Sequence, residues 1–319
     1  MADRRTRSIR GVRVAVVDIG TNSTRLLIAD VDPSRSAVEE VLRRSTVTRL
    51  GDGVDARGSL SEEATKRVFS TLADYRTQID AHGCTANLAV LTSAVRDAAN
   101  GAAFAAHVHD EYGLDARVLT GDQEARLTFR GAMSGRPAPE QPTVVIDIGG
   151  GSTEFVVGVE REITFHTSLH AGVVRMSERH IHSDPPAGEE LQALAADARG
   201  TYLEGLPAEI RSPVRRGIAV AGTATSAASI DQELDPYDPS KVHGYPLLLA
   251  TVEMLLARLA DMDEEERRKV TGLDPNRAPT IVAGMILLEE AIRAFDLEQV
   301  DVSEHDILFG GALLIGEGG

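Results

Sequence analysis

The sequence predicts a duplicated α/β fold, and three observations predict it. The stretch Thr143–Val159, TVVIDIGGGSTEFVVGV, reads as an apolar strand, a glycine turn and a second apolar strand. Val12–Val31, VRVAVVDIGTNSTRLLIADV, repeats that outline, and aligned on Asp18 and Asp147 five of the first seven residues are identical: Asp, Ile, Gly, Ser and Thr. After each hairpin, strand-like and helix-like patterns alternate, which is the order of an α/β lobe. Between the two halves lies GRPAPEQP (residues 135–142), whose three prolines mark a linker.

Composition fits two soluble lobes. With 42% hydrophobic and 26% charged residues in 319, the chain has the make-up of a globular protein rather than a disordered one. A net charge of −16 argues against general nucleic-acid binding, and means that any polyanion must be held by local cations or by metal. The single cysteine, Cys84, permits no internal disulfide and fits a reducing, cytoplasmic setting. No apolar run is long enough for a membrane span.

Along the chain, residues 1–11 are expected to be a disordered basic tail, 12–134 a first lobe and 135–305 a second. The last helix, about 306–319, is expected to pack back on the first lobe. Strands are expected at 12–18, 25–31, 37–43, 87–91 and 116–119. Residues 48–60 read as a Gly- and Asp-rich loop. Ser61 reads as the N-cap of a helix whose apolar residues Ala64, Val68, Phe69, Leu72, Tyr75 and Ile79 follow the helical period. Further helices are expected at 101–112 and 123–133. In the second half, strands are expected at 163–168, 216–220 and 299–302. Helices are expected from 171, up to 203, at 247–261, at 277–295 and from 306. Ala221–Ile230 reads as a turn of small residues before a helix, and 237–246 as a loop.

The chemistry concentrates at the hairpins. Gly149, Gly150 and Gly151 allow backbone N–H groups to converge on an anion, and Ser152 and Thr153 add hydroxyl donors. Asp147 and Glu154 would repel phosphate directly, so they suit a hard cation such as Mg²⁺ that bridges to phosphate oxygens. In the first hairpin Thr21, Asn22 and Ser23 offer donors with Arg25 close by, although Asn and Ser are also ordinary turn residues. Arg96 and Asn100 stand four apart on a short helix and can reach one ligand; read alone, a surface arginine and a helix-ending asparagine explain them better. Glu124 and Asp122 both sit where a carboxylate favours a helix N-terminus, and spacing does not separate them.

In their order and combination these residues resemble the exopolyphosphatase / guanosine pentaphosphate phosphohydrolase family of the actin-like ATPase and sugar-kinase superfamily. The resemblance rests on both hairpins and on matches along almost the whole chain: Arg49-Leu-Gly, Thr92-Ser-Ala-Val-Arg96 with Asn100, Gly121-Asp-Gln-Glu124-Ala, Gly222-Thr223, and Tyr237-Asp-Pro-Ser-Lys-Val-His-Gly244. It implies two actin-like (ribonuclease H-like) domains flanking a cleft in which water attacks the terminal phosphorus of inorganic polyphosphate. It further implies Glu124 as general base, Asp147 and Glu154 as Mg²⁺ ligands with Asp18 a further candidate, Arg96 on substrate phosphate, and Gly222 and Thr223 in a third phosphate loop. Guanosine pentaphosphate is the alternative substrate. An actin-like ATPase or kinase, or a non-catalytic sensor of guanosine tetraphosphate or polyphosphate, are the other classes; a homodimer is a further expectation. The chain departs from the family in two places. Phe309-Gly310-Gly311 stands where members often carry Arg-Glu-Gly, and Ala221 replaces the first glycine of a Gly-Gly-Thr. Longer members add a helical domain that grips long polymers, so a preference for short polyphosphate is expected here.

Overall fold

The computed structural model describes residues 11–32, 37–160 and 162–318. Apart from Gly11, the expected basic tail lies outside the described residues.

Two sheets form the body. The first contains β1 (Val12–Ile19), β2 (Ser23–Asp32), β3 (Ala37–Val47), β4 (Ala86–Leu91) and β5 (Ala116–Val118), in the spatial order β3-β2-β1-β4-β5. The second contains β6 (Thr143–Ile148), β7 (Thr153–Val159), β8 (Glu162–Leu169), β9 (Arg216–Val220), β10 (Pro246–Leu248) and β11 (Gln299–Val302), in the order β10-β11-β9-β6-β7-β8. Taken from β8, the second sheet repeats the first, with an antiparallel meander joined to two parallel strands. Its one addition is the antiparallel edge strand β10. The duplication suggested by five matching residues is therefore a property of whole sheets. β6 is buried along its length, as is most of β1. Strands covered on both faces read as continuous apolar runs rather than alternating ones.

The Glu62–Ala81 helix forms as the period dictates: Ser61 caps it by accepting from Ala64 N, and Ala64, Val68, Leu72, Tyr75 and Ile79 are buried. The loops expected at 48–60 and 237–246 contain one-turn helices, Val54–Arg57 and Pro239–Val242, too short to leave a periodic signal. The small-residue stretch after β9 is not a turn before a helix. The Ala221–Asp231 helix starts directly from the strand, and Ala221 takes the left-handed φ of 64° that makes this abrupt change possible.

Two helices cross between the lobes. The C-terminal helix Ile307–Gly316 packs on β1, β2 and β4. The Gly121–Ala132 helix precedes the linker, yet its Ala125, Phe129 and Ala132 bury against Val145, Val156, Ile218 and Val220 of the second sheet. The two helices meet at glycines. A Cβ on Gly131 would stand 1.8 Å from the Asp306 carbonyl oxygen, and one on Gly310 1.9 Å from that of Leu127. Phe309-Gly310-Gly311 is thus a close-packing surface. Among the described residues no helix is long and apolar enough to cross a membrane.

Candidate active site

Each hairpin turn closes with the same bond: Gly20 N donates to Ser23 O, and Gly149 N to Ser152 O, both at 3.0 Å. Each turn also gives its carbonyls to a neighbouring segment. Asn22 O accepts from Thr48 N and Arg49 N, and Thr21 O from Gly51 N. Gly149 O accepts from Val173 N, and Gly150 O from Val174 N, at the start of the Val173–His180 helix. In a planar trans peptide the following N–H points the opposite way. The Gly150 and Gly151 N–H groups are therefore turned away from that helix, and among the described residues neither has a backbone partner. This is the construction of an anion cradle.

The glycines are needed for close approach rather than for unusual φ. A Cβ on Gly150 would lie 2.8 Å from Thr21 Cβ and 3.0 Å from Asn22 N; one on Gly151 would lie 2.7 Å from Ser93 Oγ. The tips of the two hairpins touch, and Thr21 Oγ1 is hydrogen-bonded to Ser93 Oγ at 2.9 Å.

Behind this contact lies a cleft with a cavity of about 80 Å³. Of the sequence-derived candidates, Asp18, Thr21, Asn22, Ser23, Arg25, Glu124, Asp147, Gly149, Gly150, Ser152, Glu154, Gly222 and Thr223 line it. Four candidates do not. Thr153 is fully buried and bonds Ala171 O at 2.6 Å, because a residue next to Ser152 on a strand faces the other side of the sheet. Asn100 holds both the N–H and the C=O of Leu60 with its carboxamide, at 2.9 and 3.0 Å, which takes it out of the cleft. Gly151 is occupied by the hairpin contact. Arg96 grips Glu124 (Nη1–Oε2, 2.8 Å) and the Leu119 carbonyl (3.1 Å), since a buried carboxylate draws the nearest guanidinium. Arg96 thus stands behind Glu124 rather than in the open cavity.

The structure separates Glu124 from Asp122. Thr120 caps the Gly121–Ala132 helix in a capping box with Gln123; Asp122 then faces solvent and pairs with Arg126, while Glu124 turns inward and is buried. Burial, reinforced by Glu154, pushes the Glu124 carboxyl well above its ordinary range, and Arg96 opposes the rise. Burial also raises Asp147, again reinforced by Glu154, and Thr128 Oγ1 donates to it at 3.3 Å. Glu154 is raised by burial against the pull of Ser152 and Ser168, whose hydroxyls each donate at 2.6 Å. Asp18 is raised by burial while Arg25 draws it back down.

Asp147 and Glu154 face each other across β6 and β7. Their excess of buried negative charge fits a divalent cation, and the Asp18 Oδ1 atom, buried without a hydrogen-bond partner, is a further oxygen donor aimed at no protein group. Among the described residues no cluster of three or more His, Cys, Asp or Glu is set to enclose a metal. A cation here would complete its shell with phosphate oxygens and water, the habit of Mg²⁺.

Several contributors escaped sequence reasoning. Ser168 comes from an unremarkable strand, and Asp306 pairs with Arg25 from the far end of the chain. Arg277 lines the cleft and, among the described residues, has no acid within ion-pairing distance; burial lowers its pKa. Nothing in the loop DPNRAP marks that arginine from its neighbours.

Repeated sheets, mirrored hairpins and an acid-lined cleft between them define a two-lobed actin-like α/β protein. The chain belongs to the Ppx/GppA phosphatase family, whose model matches residues 27–308. It is 38% identical over 315 residues to exopolyphosphatase 2 of Mycobacterium tuberculosis, covering 94% of this chain and 98% of that one. It is similar to the crystal structure of the Aquifex aeolicus family member, at 30% identity and a TM-score of 0.79, covering 95% of this chain and 97% of the other. An exopolyphosphatase from Cytophaga hutchinsonii superposes with a TM-score of 0.87 at 28% identity, covering 96% and 98%.

Proposed function

We propose that this protein is an exopolyphosphatase, which hydrolyses the terminal phosphoanhydride bond of inorganic polyphosphate and releases orthophosphate. One observation carries the reading: a buried carboxylate of raised proton affinity, Glu124, shares a phosphate-sized cavity with two further acids and with the turns of two N–H-bearing hairpins. Family membership and the named relatives support it.

The geometry supports the following roles. Glu124 accepts the proton of the attacking water, and its raised proton affinity suits a base near neutral pH. Arg96 holds the Glu124 carboxylate in place. The N–H groups of Gly150 and Gly151, without backbone partners among the described residues, and the hydroxyls of Thr21 and Ser23 hold the terminal phosphate, with Arg25 and Arg277 on the cleft wall as fixed positive charge. Asp147 and Glu154, with Asp18 nearby, would hold Mg²⁺. When bound, the cation neutralises charge on the phosphate oxygens, the main demand of phosphoryl transfer. A reducing cytoplasmic setting fits the single, half-buried Cys84.

Guanosine pentaphosphate is the second reading, and a specific feature favours it. The cleft shares Arg25, Gly222 and Arg277 with an adjoining cavity of about 700 Å³, room enough for a nucleoside. Phosphate release from polyphosphate, guanosine pentaphosphate and ATP, each with Mg²⁺, decides between the readings. Polyphosphate is expected to be the best substrate, and Glu124→Gln to cut its turnover about 10²- to 10⁴-fold. Release from ATP alone would overturn the proposal; undiminished turnover in Glu124→Gln would overturn the base.

A further inference from the structure

The two segments that take the hairpin carbonyls also reach each other beside the hairpin contact, and one side chain there joins the second glycine turn to two acids of the first lobe. Arg175, on the Val173–His180 helix, donates from Nε to the Gly151 carbonyl at 2.8 Å. Its terminal nitrogens pair with Asp55 and, at 3.1 Å, with Asp97 Oδ2. Both acids belong to the first lobe: Asp55 to the one-turn helix Val54–Arg57 that follows the carbonyl-binding loop, and Asp97 to the chain position after Arg96. Close by, Glu178 accepts from Gly53 N at 3.0 Å, and Arg179 approaches Asp55 at 3.9 Å.

We propose that Arg175 is a positioning residue that clasps the two lobes behind the glycine turn and aims the phosphate cradle. The reason lies in the three carbonyls of the glycine turn. Gly149 O and Gly150 O are taken by backbone N–H groups of the helix, and Gly151 O by the Arg175 guanidinium. With all three carbonyls held on the helix side, planarity turns the N–H groups of Gly150, Gly151 and Ser152 the other way. Arg175 thus fixes the last of the three peptides. The same guanidinium holds the turn in register with the segment that carries Arg96, whose partner is Glu124. A planar fork can serve a carbonyl and two carboxylates together, which an ammonium on a flexible stem cannot. Arg175 itself is only 14% exposed, and its bond to the Gly151 carbonyl is part-buried, while the two acids it pairs with reach the surface.

This inference rests on the exopolyphosphatase reading, and its test separates the two. Steady-state hydrolysis of polyphosphate with Mg²⁺ is measured for wild type, Arg175→Ala, Arg175→Lys and Asp55→Asn, each beside its thermal midpoint. Arg175→Ala is expected to lower kcat about 10- to 100-fold, the size of losing an outer partner that orients a site. Arg175→Lys should recover the thermal midpoint and leave kcat low. Asp55→Asn, which loosens the clasp and leaves the Gly151 bond, should raise KM several-fold with kcat nearly kept. A second arm measures Mg²⁺-tripolyphosphate binding by calorimetry in Glu124→Gln with and without Arg175→Ala, where weaker binding is expected from the double variant. Full kcat in a folded Arg175→Ala or Arg175→Lys overturns the proposal, as does unchanged tripolyphosphate affinity. If wild type releases no phosphate from any polyphosphate, the exopolyphosphatase reading fails, and the binding arm still decides the role of Arg175.

Discussion

The two hairpins are built alike and charged differently. Both close with a Gly N to Ser O bond, both surrender their carbonyls to a flanking segment, and both place an aspartate at the end of the first strand. They differ at the position seven residues later, directly across the strand pair from that aspartate. In the first lobe it is Arg25, which donates to Asp18 at 2.6 and 2.9 Å and also pairs with Asp306. In the second it is Glu154, so two buried acids face each other. One lobe neutralises its own aspartate, whereas the other leaves charge to be met from outside the protein. The duplicated frame has kept its backbone and divided its electrostatics, one half pairing its aspartate with an arginine and the other setting two acids face to face.

That comparison is most exposed at positions 25 and 154, where substitution should act with opposite signs. Arg25→Gln leaves Asp18 buried without its cation and Asp306 with only Arg43, at 3.7 Å, and should lower stability by about 3–5 kcal/mol, as for other broken buried pairs. Glu154→Gln removes a buried charge that, among the described residues, no ion pair balances, and should raise the thermal midpoint in Mg²⁺-free buffer at neutral pH. It should also cut phosphate release about 10²- to 10³-fold, the scale of one lost electrostatic contact at a reacting phosphate. If both variants shift the midpoint in the same direction, the division of charge is wrong.

The pH dependence sharpens the same point. Glu124, Asp147 and Glu154 hold protons more tightly folded than unfolded. At these three groups the folded state therefore binds more protons, and the stability they contribute in the metal-free protein is fully present below about pH 4 and is lost as pH rises through the raised values. This part of the fall should shrink in Glu154→Gln and on adding Mg²⁺, as followed by thermal melts across pH.

A smaller effect separates the two turns. Gly150→Ala pushes a Cβ into Thr21 and the Asn22 backbone, and should cost about 1–3 kcal/mol by overpacking, with loss of activity as the tips part. Gly20→Ala meets only its own turn, at Ser23 O 3.1 Å, and should leave the melt nearly unchanged. Smallest of all, Ala221→Gly relieves a left-handed φ that costs an alanine about 1–2 kcal/mol, less roughly 0.4–1 kcal/mol of added unfolded-state freedom. A midpoint that rises slightly, or stays level, agrees with this; a clear fall does not.

Much of the fold was legible because strong local signals agreed with the global one. Ser61, with Glu62 and Glu63 behind it, marks a helix start that the structure keeps. The buried parallel strands announce themselves as unbroken Val and Ile. The Asp-Ile-Gly turn reads as a turn in both halves because glycine and serine impose it locally. The one-turn helices at 54–57 and 239–242 left no mark, since four residues carry no period.

The site was legible to a lesser depth. The sequence by itself determined which residue types meet at the hairpins, because a strand pair with a short turn brings position 147 opposite 154 by register alone. It could not separate Glu124 from Asp122, assign the Asn100 carboxamide to the Leu60 backbone, or show that Arg96 stands behind Glu124. The place of Glu124, and with it of Arg96, depends on which way a helix is rotated against the second sheet, a matter of Phe129 and Ala125 finding their packing, while the Asn100 bond depends on where the chain at Leu60 passes it. Only the tertiary structure decided that Asp306 would share Arg25 with Asp18 and that Arg277 would reach the cleft. Charges far apart in sequence are placed by how the lobes pack, and that packing is set by contacts of glycine on backbone that no local pattern records.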